Sequence, residues 1–94
     1  MKIEPNETLI RGSWIERDQK VVADDLCRRI EVLIRDYLRQ VGTSNGGWEH
    51  LYLDPSDDRL WELTYPHSDW HGGGPPTLRL VSAKLAEEKY RYRG

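Results

Sequence analysis

The sequence predicts an α+β domain: a small antiparallel sheet of about four to five strands, one long amphipathic helix packed on one face, and a short C-terminal helix. Three observations carry this. Residues 24–41 hold one apolar stripe at three- and four-residue spacing, the segments around them alternate apolar and polar residues, and most connections are short turns that join neighbouring strands in opposite directions. At 94 residues the chain makes one domain, 1–94, with a single core.

"TLIRGSWIE" (8–16) alternates as a strand, with Ile10, Gly12 and Trp14 on one side and Leu9, Arg11, Ser13 and Ile15 on the other. "ERDQK" reads as a tight turn into "VVA", giving a hairpin that is marginal alone and needs a partner layer. In "DDLCRRIEVLIRDYLRQV" (24–41) Leu26, Ile30, Leu33, Ile34, Tyr37, Leu38 and Val41 form the stripe that supplies it. Asp24 suits the N-cap, Asp25 the positive helix start, and Gly42 with "TSNGG" the stop. Cys27 falls on the apolar side of this helix beside Ile30 and Ile34, and is read as a small core residue.

"WEHLYL" (48–53) and "RLWELTY" (59–65) flank the proline-and-aspartate turn "DPSDD" and predict a second hairpin. Both its faces carry large side chains: Trp61, Leu63 and Tyr65 oppose Leu60, Glu62 and Thr64, while Leu51 and Leu53 oppose Trp48, His50 and Tyr52. One face is therefore assigned to the helix and the other to the C-terminal segment or a partner, with Trp14, Trp48 and Trp61 expected to pack in the core. "TLRLVS" (77–82) adds a strand, Ser82 caps a short "AKLAEEKY" helix, and a basic tail follows at about 90–94. The predicted order is β-β-α-β-β-β-α.

The single cysteine excludes an intrachain disulfide and fits a reducing compartment. "MKIEPNETLI" lacks the basic start and apolar run of a signal peptide, and no stretch approaches the roughly 20 apolar residues of a membrane span, so a cytoplasmic protein is expected. The net charge of −2 hides an asymmetry. Residues 1–43 balance at eight acids and eight bases, residues 44–74 set six acids against Arg59 alone, and residues 75–94 carry five bases and two acids. An acidic centre repels nucleic acid and attracts a basic partner.

"TYPHSDWHGGGPPTL" (64–78) could hold chemistry of its own. His67, Asp69 and His71, with His50 from the neighbouring hairpin, could converge on a metal, but they precede the flexible "GGGPP" and lack the rigid support that metal ligands usually have. No serine stands in a "GxSxG" setting, and the glycines run into prolines and a strand with no "GK[ST]", so neither a catalytic triad nor a phosphate loop is expected. "KYRYRG" alternates Arg and Tyr but is too short for a strand-reading surface.

Taken together, "GSW" (12–14), "VADD" (22–25), "RRIEVLI" (28–34), "GWEHLYLDP" (47–55), "RLWELTYP" (59–66) and "HGGGPPTLR" (71–79) resemble the immunity protein 27 family of bacterial polymorphic toxin systems, over roughly residues 9 to 90. Gln19 and Asp58 depart from the glycines that the resemblance leads one to expect in two turns. The resemblance implies a small cytoplasmic inhibitor of a toxin domain encoded beside it, with no catalysis and no cofactor. Its partner is then a toxin domain with a basic cleft, such as one acting on nucleic acid or nucleotides, while the chain itself binds neither nucleic acid nor membrane. The expected toxin-binding residues are Glu49, Asp57, Asp58 and Glu62 of the acidic hairpin and His67, Asp69 and Trp70 of the aromatic loop. The alternatives are a stand-alone protein-binding module or a small metal-dependent enzyme using His67, Asp69 and His71.

Overall fold

The computed structural model describes residues 2–67 and 74–93. Strands β1 (Leu9–Arg11), β2 (Trp14–Arg17) and β3 (Lys20–Ala23) precede helix α1 (Asp25–Asp36). Strands β4 (Arg39–Ser44), β5 (Glu49–Leu53), β6 (Leu60–Thr64) and β7 (Thr77–Val81) follow, and helix α2 (Ala83–Tyr90) closes the order. Five strands form one antiparallel sheet in the order β1-β7-β6-β5-β4, and β2 and β3 form a separate two-stranded sheet.

The α+β class stands, and three details of the expected order change. The strand expected at 8–16 is two strands in two sheets. A Cβ on Gly12 would lie 2.6 Å from the Cys27 Sγ and 2.9 Å from the Pro76 carbonyl oxygen, so only glycine lets the chain pass here. Its N–H donates to that carbonyl at 2.9 Å, ending the β1–β7 pairing and releasing β2 into the hairpin with β3. Asp18 and Gln19 form the two-residue turn of that hairpin, with φ of 53° and 64°. Positive φ at both positions is the turn whose twist matches paired strands, and it favours glycine. The resemblance expects a glycine at residue 19, and the backbone there has the conformation glycine prefers.

The long helix is shorter than its apolar stripe. α1 is 12 residues, with the Asp24 side chain accepting from the Cys27 N–H at 2.9 Å as N-cap. Beyond Asp36, Leu38 donates back to the Leu33 carbonyl at 2.6 Å and the chain turns into β4, which pairs with β5 through an irregularity between Gln40 and Gly42. Tyr37 and Leu38 continue the apolar stripe but leave the helix: Leu38 is buried in the core and the Tyr37 hydroxyl reaches Asp54. Val41 belongs to the opposite face of the sheet. Periodicity alone cannot see that tertiary pairing here replaces the last helical turn. Gly42 lies under α2: a Cβ there would meet the Tyr90 side chain at 3.2 Å.

Two apolar layers hold the sheet. On one face Ile30 and Leu33 of α1 pack with Ile10, Tyr52, Trp61, Leu63 and Leu78. On the other, Leu51, Leu60 and Ala86 form a smaller cluster with Val41, Val81, Tyr90 and Tyr92, so α2 covers the face left for the C-terminal segment. Cys27 is buried with its thiol 3.4 Å from the Ser13 carbonyl, and burial pushes its pKa up, consistent with a packing role. Trp61 is fully buried as expected and Trp14 partly so. Trp48 departs from the expected core role: it is 56% exposed.

Candidate functional site

The β5–β6 turn is built by Asp54. Its N–H donates to the Arg59 carbonyl at 2.9 Å, and its carbonyl accepts from Asp58 at 2.8 Å. Its side-chain Oδ1 accepts from the Ser56 N–H at 2.9 Å, the Ser56 hydroxyl at 2.8 Å and the Tyr37 hydroxyl at 2.6 Å. Burial alone would raise the Asp54 pKa, but these donors hold it below the usual carboxylate range. The turn is thus fixed from inside, which leaves its outer acids, Asp57 and Asp58, at defined places on the surface.

Those two acids are not equivalent. Asp57 accepts from the Arg59 N–H at 3.0 Å and from its Nε at 2.6 Å. The same Arg59 guanidinium donates to the Glu7 carbonyl at 2.9 Å and the Glu4 carbonyl at 3.1 Å, and lies 5.1 Å from the centre of the Trp61 ring. Asp57 therefore orients the side chain that clips the N-terminal segment to the sheet. Asp58 is exposed with φ of 61°, the second turn position where the resemblance expects glycine, and its carboxylate makes no ion pair among the described residues.

Glu62, expected at the surface, is fully buried. Its position on β6 faces α2, so helix packing covers it and it must be neutralised from within. Arg79, opposite it on β7, approaches to 2.6 Å, the Lys89 Nζ to 2.6 Å and the Tyr90 hydroxyl to 2.7 Å. Burial alone would raise its pKa, but donors from Lys89, Tyr90 and Arg79 hold it low, and burial beside Glu62 raises that of Tyr90. Glu49 joins through Lys89 at 2.9 Å. Two of the expected contact residues thus belong to a network that pins α2 to the sheet. The clue in the sequence was the pair of polar-tipped residues Lys89 and Tyr90 on the short helix, which had no assigned partner.

His67, the described member of the expected aromatic loop, lies toward the other end of the sheet. Arg59 to Tyr65 covers six residues of extended chain, roughly 20 Å by strand rise. Here Trp48 follows the Asn45–Gly47 turn and meets Tyr65 edge-on at 6.4 Å between ring centres. His67 is exposed and borders a cleft of about 470 Å³ with Trp14, Arg11 and Pro75. Gly74, at φ 75°, packs so closely on the His67 carbonyl that a Cβ would collide with it. Asp69, Trp70 and His71 lie outside the described residues. Among the described residues no three His, Cys, Asp or Glu side chains are grouped as metal ligands, and no helix is long and apolar enough to cross a membrane.

At the turn end, a cleft of about 620 Å³ opens between Asp58 and α2. Leu53, Leu60 and Ala83 supply apolar lining, with Tyr92 and Glu87 beside them. The arrangement of an antiparallel sheet with a helix on each face, bearing an acidic turn at one end and exposed rings at the other, defines a small α+β domain of layered type. The Immunity protein 27 family model matches residues 16–82, and the chain belongs to that family. No curated protein and no solved structure matches it. Membership implies a toxin as partner.

Proposed function

We propose that this chain binds and neutralises a cognate toxin domain in the cytoplasm, covering the toxin's active cleft and catalysing nothing itself. Family membership is the observation that carries this reading. The contact surface has two parts. Asp58, with Asp57 beside it, supplies charge at the turn and draws in a basic partner, which suits a toxin acting on nucleic acid or nucleotides. His67, Asp69 and Trp70 supply the second part, and exposed Trp48 joins them. Glu49 and Glu62 act behind this surface by holding α2 in place. Asp58 and Trp48 stand at opposite ends of the β5–β6 hairpin, roughly 20 Å apart by strand rise, a span that an interface of standard size, about 800 Å² per partner, covers.

The test is co-expression with the toxin domain encoded by the adjacent gene, together with binding kinetics. Wild type rescues growth and binds directly. Asp58→Lys slows association and flattens its salt dependence, because an exposed charge steers encounter. Trp48→Ala speeds dissociation and costs about 2 kcal/mol of affinity, as truncation of an aromatic anchor does. Asp57 is left intact because it orients Arg59. Full protection and unchanged kinetics in the Asp58→Lys/Trp48→Ala double variant refute this surface, and absence of any binding refutes the immunity reading.

A further inference from the structure

The turn-end cleft pairs an apolar floor with carboxylates at its rim. Leu60, a buried member of the cluster beneath α2, and Leu53, packed against it, form with Ala83 an apolar lining suited to a flexible hydrocarbon stem. Asp58 lines it from the turn with no ion pair among the described residues, and Glu87 lines it from α2. The Tyr92 ring completes the lining and offers a flat face. Methylene stem, delocalised cation and planar head are the three parts of an arginine side chain, and these walls match each of them.

The molecule itself supplies a sample of that chemistry. Arg93 lines the same cleft and its guanidinium lies 3.4 Å from Glu87, in a pair whose members are both largely exposed. Such a pair contributes little and exchanges readily. It leaves Asp58 without an ion pair among the described residues.

We propose that this cleft receives an arginine side chain of the toxin domain, with its guanidinium between Asp58 and Glu87 and its stem on Leu53 and Leu60. The proposal rests on the toxin-binding reading and names the group through which the acidic turn acts. Arg93 then acts as an internal competitor that the incoming side chain displaces from Glu87.

Two arms separate this proposal from the reading it rests on. In the first, the full chain is titrated with N-acetyl-arginine methylamide and followed by NMR, with N-acetyl-glutamate methylamide as control. Saturable shifts confined to Asp58, Leu60 and Tyr92 are expected with the arginine probe only. Asp58→Asn, which keeps a residue tolerant of positive φ, weakens them about tenfold, and Arg93→Ala strengthens them about twofold. Shifts that are absent, spread over the surface, or unchanged by Asp58→Asn overturn the proposal. In the second arm, Asp58→Asn weakens binding to the adjacent-gene toxin domain by a similar factor, while Glu88→Gln, outside the cleft lining, does not. A probe that binds while toxin affinity ignores Asp58→Asn also overturns it. A toxin that wild type fails to bind overturns the immunity reading alone, and the first arm still decides the cleft.

Discussion

Removing the Glu62 side chain is the most informative single perturbation of the fold. The carboxylate is fully buried and accepts from three groups at 2.6 to 2.7 Å. Breaking a buried ion pair from one side costs about 3–5 kcal/mol, mostly because the partner charge is stranded. Here the stranded cations can rehydrate, since the Lys89 and Arg79 side chains keep 31% and 47% of their exposure. Glu62→Ala is therefore placed at the lower end, about 3 kcal/mol, a large share of the roughly 5–14 kcal/mol expected for a domain of this size. Glu62→Gln keeps the shape and isolates the charge. The Glu62 pKa is depressed in the fold, so its charge stabilises the protein above its ordinary value of 4.5, and that contribution is lost as pH falls through the folded pKa. Urea melts of wild type and Glu62→Gln, taken from pH 7 down through the acid range, should show a stability gap that narrows with acid. Other shared acids, such as Glu7 held at about 2 by Arg29, cancel in that difference. A gap that stays constant with pH would show that the Glu62 charge contributes nothing, and a Glu62→Ala variant within about 1 kcal/mol of wild type would show that the network contributes no net stability.

Gln19→Gly relieves a left-handed backbone at a turn and should raise stability by about 0.5–1 kcal/mol, after allowing for the added freedom of the unfolded chain; a lowered denaturation midpoint contradicts the turn assignment. Ile30→Ala should cost about 2–5 kcal/mol, and Ile34→Ala less because that side chain is only partly buried; equal midpoints for both would place α1 wrongly on the sheet. Cys27 should react with a thiol reagent far more slowly in the native protein than in urea, with equal rates refuting its burial.

The sequence made legible whatever was encoded locally. Asp24 and Ser82 cap the two helices as their residue types suggest, and the alternation in 48–53 and 59–65 predicts which residues share a face of β5 and β6, though not which face α1 covers. What escaped depends on partners distant in the chain. Arg39–Ser44 becomes a strand because β5 is there to pair with it, and Gly12 breaks its strand because Cys27 and Pro76 crowd it. The surface was legible only in part. Counting acids found the charged turn, but could not tell Asp58, which faces solvent, from Glu62, which is enclosed by three donors. Trp48 has the composition of a core residue, and its exposure follows from its place just after the Asn45–Gly47 turn at the start of β5.

The pairing of β1 with β7 has a consequence for how the chain is made. Ile10 lies opposite Leu78 and β1 joins the sheet through β7, so the first strand waits for a partner made much later in the chain. At about 5–20 residues per second that delay is roughly 3–14 s. Long-range pairing of this kind also sets a slow closing step in refolding from denaturant. Through that interval β1 has no partner strand, and the flanking charges Glu7 and Arg11 disfavour its pairing with neighbouring chains.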